Sequence, residues 1–128
     1  MNMRVSVTFD DGQFQVRSWP SLAMLSQPRA LIHELIREAE KLWEVPPGTV
    51  KSRDRKRSAC EPRFAVAYAA RRMTTRSYPD IARIMGDFDH STIIHAERRA
   101  KQMKVEDADY AALLAQLMRN VREKQVVG

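Results

Sequence analysis

At 128 residues, 44% hydrophobic and 30% charged, the chain has the length of one ordinary domain and a globular composition, which excludes a disordered polypeptide. Twenty-two Lys and Arg against 16 Asp and Glu leave a formal charge of +6, which attracts phosphate-rich or anionic surfaces without specifying a fold. A single cysteine, Cys60, excludes an internal disulfide framework and a cysteine-based zinc site and fits a reducing, cytoplasmic setting, while no apolar run reaches the roughly 20 residues that span a bilayer and no secretory signal is visible.

Val5, Val7 and Phe9 alternate on one side of Asp10-Asp11-Gly12, and Phe14 and Val16 on the other, the pattern of a short β-hairpin. A lone hairpin is marginal in water, so residues 1–25 either pack on the helical body or form a tail. From Ser26 the period becomes helical. Leu31, Ile32, Leu35, Ile36, Ala39, Leu42 and Trp43 form one stripe, with Arg29, His33, Arg37 and Lys41 largely off it. Pro46-Pro47-Gly48 ends this helix, because proline removes a donor and disfavours helical geometry in the residue before it. A basic loop, Lys51 to Arg57, comes next.

Pro62 suits a first helical turn, and the alanine-rich stretch after it predicts a second helix from Arg63 to Met73, with Phe64 and Tyr68 as core contacts. Ser77-Tyr78-Pro79-Asp80 has the form of a capping box, opening a short helix with Ile81, Ile84 and Met85 inward. Gly86 is placed to stop it in a left-handed turn. Asp89 then caps a further helix whose inner side is Ile93, Ala96, Ala100 and Met103. Two helices joined by so tight a turn make a helix-turn-helix. Tyr110, Leu113, Leu114, Leu117, Met118 and Val121 recur at three and four residues, giving a closing helix, and 124–128 read as a tail.

Asp89, His90, Ser91 and Thr92 cluster at the start of the second helix of that pair, with His95 and Ala96 a turn further on. In a helix-turn-helix those positions meet base edges in the major groove, and the helix N-terminus favours nearby phosphate. The plainer reading makes Asp89 an N-cap and its neighbours solvated polar residues of a first turn. Consecutive Asp89, His90 and Ser91 diverge around the helix axis, so they do not form a hydrolytic triad. His90 and His95 stand about 140° apart and share no face as zinc ligands. The loop residues Lys51, Arg53, Arg55, Lys56 and Arg57 suit a phosphate backbone or an adjacent minor groove; Arg63 and Arg71 on the next helix lie about 80° apart around its axis. No glycine precedes a lysine, so there is no phosphate-binding nucleotide loop. Cys60 has no histidine close in sequence to act as its base and reads as structural, and the seven methionines read as core filler.

Arg55-Lys56-Arg57-Ser58, Pro62-Arg63, Tyr78-Pro79-Asp80-Ile81, Gly86 and the string from Asp89 to Ala96 resemble the C-terminal DNA-binding domain of the bacterial replication initiator DnaA, from about Ile36 to Val121. The resemblance implies an all-α helix-turn-helix domain similar to the Trp repressor, over 26–123, that reads a short asymmetric box as a monomer. It implies base contacts from Asp89, His90, Ser91, Thr92, His95, Ala96 and Arg63. It implies minor-groove insertion for Arg55 and backbone contacts for Arg71, Tyr78 and Pro79, beside the loop cations Arg53, Lys56 and Arg57. Four positions depart from the family pattern. Gly86-Asp87-Phe88 stands where Gly-Gly-Arg is usual, which predicts weaker backbone affinity. Ser91 replaces a threonine and loses a methyl that meets thymine, and Glu61 replaces a common arginine.

No counterpart of that family's ATPase domain is present in the sequence, so the expectation is a non-enzymatic regulator of replication initiation or transcription without cofactor, nucleotide or metal, partnered by double-stranded DNA. A module that binds a replication or transcription protein through its hairpin or closing helix is the alternative, because folds outlive functions.

Overall fold

The computed structural model describes residues 28–127; the segment expected as a hairpin or tail, 1–25, lies outside them. Among the described residues the architecture is all-α: α1 Pro28–Leu42, α2 Arg57–Met73, α3 Tyr78–Gly86, α4 His90–Glu106 and α5 Ala108–Val127, without a strand. Residues Pro28–Lys124 form one compact unit.

The stripe read on α1 is the buried one, with Leu31, Ile32, Leu35, Ile36 and Ala39 in the core and Leu42 and Trp43 half-buried at its end. The helix stops because Glu44 turns left-handed, at φ 57°, before the two prolines, while Val45 N–H closes back on Glu40 O at 3.0 Å. Helix α2 is apolar nearly all round from Ala65 to Ala70, as suits a central helix; small side chains there let α1, α3 and α4 approach.

It begins at Arg57, six residues before the predicted start. Lys56 caps it with no side-chain hydrogen bond, so no capping residue announces the turn. Pro62 lies inside the helix rather than in its first turn, fully buried. The hydrogen bond it omits is the one to Ser58 O, and Ser58 is exposed near the start of the helix.

Ser77 caps α3 by accepting from Asp80 N–H at 3.3 Å, with Tyr78 and Pro79 in the first turn. At the other end the left-handed residue is Asp87 (φ 57°, ψ 42°), one position past the expected Gly86, whose own φ is +133°. Phe88 N–H donates to Ala82 O at 3.1 Å and Asp87 N–H to Arg83 O at 3.2 Å, closing the helix with a turn one residue wider than a Schellman motif. Ile93, Ala96, Ala100 and Met103 bury the inner face of α4. Helix α5 covers the bundle with Tyr110, Leu114, Leu117 and Val121. Tyr110 reaches Glu61 O on α2 at 2.9 Å and stands 5.6 Å from Trp43, ring to ring.

Candidate nucleic-acid interface

The site begins at the turn after α3. Asp89 is extended and its carboxylate accepts from Ser91 N–H at 3.2 Å and from the Ser91 hydroxyl, satisfying a donor that the helix leaves free. Those bonds from Ser91 hold the Asp89 carboxyl below the ordinary aspartate value. His90, Ser91 and His95 are exposed and Thr92 half-buried, whereas Ile93 and Ala96 point into the core. The polar turn is therefore outside the packing that holds α4 in place. His90 lies beside Asp89, with 3.8 Å between Nδ1 and Oδ1.

Facing this turn across an open groove stand Arg55, Cys60, Arg63 and Phe64; Ser91, Thr92, His95 and Ala96 form the opposite wall. The Phe64 and His95 rings meet edge to face at 6.1 Å. The basic arm is folded by its own side chains: Ser52 Oγ accepts from Asp54 N–H at 3.3 Å and Asp54 Oδ1 from Lys56 N–H at 2.9 Å. This leaves Arg55, Lys56 and Arg57 exposed, with Arg57 paired to Glu61 at 2.5 Å.

Two arm-associated arginines are used differently. Arg63, expected among the base contacts, is 6% exposed. Its Nε donates to Val50 O at 3.0 Å, its Nη2 to Thr49 O at 3.3 Å and Ser52 O at 2.9 Å, and its Nη1 lies 3.6 Å from Cys60 Sγ. Of five guanidinium hydrogens, one on Nη1 is left for an outside acceptor. Arg53 stacks on Phe88, 4.2 Å from the ring centroid, and bonds to Gly86 O and Asp87 O.

Beneath the arm, Glu40 is 6% exposed and its Oε2 accepts from Gly48 N–H at 3.0 Å and Val50 N–H at 3.1 Å. On the far flank Arg71 lies over Tyr78 at 4.2 Å and donates to Arg76 O at 2.9 Å, with Pro79 exposed beside them. Glu97 ties that flank to α4, taking Tyr78 Oη at 2.5 Å and Arg72 Nη1 at 2.6 Å. The structure thus brings Arg55, Arg63, Ser91, Thr92, His95 and Ala96 to one groove, and places Arg71, Tyr78 and Pro79 on a separate flank of the helix-turn-helix. Sequence reasoning missed Glu40, Phe88 and Glu97. Only Phe88, a large aromatic in a tight polar turn, carried a signal. Among the described residues no group of three or more His, Cys, Asp or Glu is placed to hold a metal ion, and no helix is long and apolar enough to cross a membrane.

The model of the bacterial DnaA protein helix-turn-helix matches residues 31–100. The chromosomal replication initiator protein DnaA of Sphingopyxis alaskensis is 34% identical over 96 residues, covering 75% of this chain and 21% of that protein. DnaA of Caulobacter vibrioides is 32% identical over 96 residues, covering 75% and 20%. The chain therefore spans about a fifth of the length of these relatives. A crystal structure of a DNA replication initiation factor shares the fold, with a TM-score of 0.67 at 23% identity over 77% of this chain and 30% of that one. With more than half of its length matched, all of α3 and the first part of α4 included, the chain belongs to the bacterial DnaA helix-turn-helix family.

Proposed function

We propose that the chain binds double-stranded DNA in a sequence-dependent way, with the first turn of α4 in the major groove and the arm on the flanking backbone and minor groove. The observation that carries this reading is the shared groove: Arg55 of the arm with Cys60, Arg63 and Phe64 of α2 forms one wall, and the short polar side chains of α4 the other. A basic wall supplies affinity through phosphate, and short donors and acceptors at a helix N-terminus supply discrimination. In this arrangement Asp89, His90, Ser91, Thr92 and His95 meet base edges, whereas Ala96, expected beside them, is 1% exposed and belongs to the core. Arg63 keeps a single hydrogen for the groove. Arg55 enters the minor groove, and Lys56, Arg57, Arg71, Tyr78 and Pro79 meet phosphate. The protein acts by occupying sites that govern replication initiation or transcription; the names of its relatives support the first of these.

A mobility-shift titration with and without nonspecific competitor tests the reading. The four cations Arg55, Lys56, Arg57 and Arg71 predict a loss of roughly 10² in affinity between about 50 and 200 mM salt, and replacing Arg55 and Arg57 together with alanine flattens that slope. A salt-independent response, or no duplex binding, favours a protein-interaction module instead.

A further inference from the structure

We propose that Arg53 and Phe88 form a clasp that fixes the basic arm to the turn of the helix-turn-helix, making Arg53 a positioning residue rather than a phosphate contact. Its consequence for recognition rests on the DNA-binding reading above; the clasp itself does not.

The guanidinium carbon of Arg53 stands 4.2 Å from the Phe88 ring centroid. Its Nη2 donates to Gly86 O at 2.8 Å and Asp87 O at 3.1 Å, and its Nη1 to Lys51 O at 3.2 Å. The first two acceptors lie at the C-terminus of α3, where carbonyls lack helical partners and the helix dipole favours a cation. A planar fork of donors over an aromatic face is a geometry that arginine provides and lysine does not. Backbones also touch there, since a Cβ on Gly86 would lie 2.9 Å from Lys51 O.

Phe88 is held independently. Its N–H is fixed by Ala82 O, its ring packs against the core, and the Arg63 guanidinium lies 5.4 Å from its centroid. Arg63 in turn holds the carbonyls of Thr49, Val50 and Ser52. Two arginines that hold the base of the arm therefore both lie near one ring, and the next residue, Asp89, caps α4. The arm and the recognition turn are one preassembled unit. Three of the five guanidinium hydrogens of Arg53 are committed to the Lys51, Gly86 and Asp87 carbonyls and its plane lies over the Phe88 ring, so its orientation is set from within the protein.

The test separates charge from geometry. Arg53→Lys keeps the charge and loses the fork; Phe88→Leu keeps an apolar core contact and loses the ring; Phe88→Tyr keeps the ring. Hydrogen exchange of the amides of residues 51–56, measured without DNA, is expected to quicken about two- to fivefold in Arg53→Lys and Phe88→Leu and to stay as in the wild type in Phe88→Tyr. Wild-type rates in both of the first two variants overturn the clasp. On duplex DNA, Arg53→Lys is expected to weaken the preferred site while leaving the salt slope unchanged, whereas Arg55→Gln lowers that slope by about 0.9. Wild-type affinity in Arg53→Lys, with a slope lowered by Arg53→Gln, makes Arg53 a phosphate contact and overturns the proposal. Were the wild-type chain to bind no duplex, the DNA reading would fail and the exchange rates would still decide the clasp.

Discussion

Replacing Glu40 tests how the arm is carried. Its one carboxylate oxygen accepts both Gly48 N–H and Val50 N–H, and Val50 is fully buried. In Glu40→Ala the exposed Gly48 amide regains a water, but the Val50 amide has none within reach. An unsatisfied buried donor costs about 1–3 kcal/mol, and the lost charge-assisted bonds and side-chain packing bring the total to about 2–4 kcal/mol. For a domain of this size, at about 4–8 °C per kcal/mol, the melting temperature falls by about 8–32 °C. Glu40→Gln retains an acceptor at the same place and loses only the charge assistance, so about 1 kcal/mol, or about 4–8 °C, is expected. Thermal unfolding followed by circular dichroism at one protein concentration compares the three proteins. Equal losses in the two variants, or none in Glu40→Ala, would refute the reasoning, since they would mean that the shared acceptor is not what the loop depends on.

Thr92→Ala and His90→Ala are each expected to cost about 1–3 kcal/mol on the preferred duplex and much less on random duplexes, with unchanged melting because neither side chain belongs to the buried face of α4. Equal losses on both duplexes would assign that turn to phosphate alone. Asp89→Ala should weaken binding and also lower the melting temperature, because Ser91 N–H loses its acceptor. Gly48→Ala is expected to cost about 1–3 kcal/mol in backbone strain, since its φ is +94° with open space around the new Cβ; Gly86→Ala should cost more, as that Cβ meets Lys51 O. Calorimetry on the pair checks the order. Lys124 donates to Glu34 at 2.7 Å and Glu38 at 2.9 Å, and these bonds hold both carboxyls below their ordinary 4.5. Depressed values mean stability that is complete above about pH 4.5 and lost as pH falls through the folded-state values, so Lys124→Met should lower melting near neutrality and reduce its fall on acidification.

What was legible in the sequence is what periodicity and side-chain caps encode. The α1 stripe, the inner face of α4, Ser77 and Asp89 all announce themselves locally, through apolar spacing or a short polar residue before it. The start of α2 is not announced, because Lys56 makes no side-chain cap and Pro62 imitates a helix beginning. The arm's supports are legible least of all. Arg63 and Glu40 bind backbone groups of residues 48–52, which carry no residue-type signal, and Arg53 finds Phe88 at a distance in sequence that only the fold closes. Arginine in a basic run reads as solvated charge whether it faces phosphate or grips a carbonyl.

The separation of the polar first turn of α4 from its buried face has a consequence for how such a protein changes over time. Ile93, Ala96, Ala100 and Met103 carry the helix, while His90, Ser91 and His95 stand in solvent. If the chain reads DNA as proposed, substitutions at those three positions redirect the molecule to new addresses without refolding it, so a lineage drifts between target sequences by single steps, each intermediate still a stable protein.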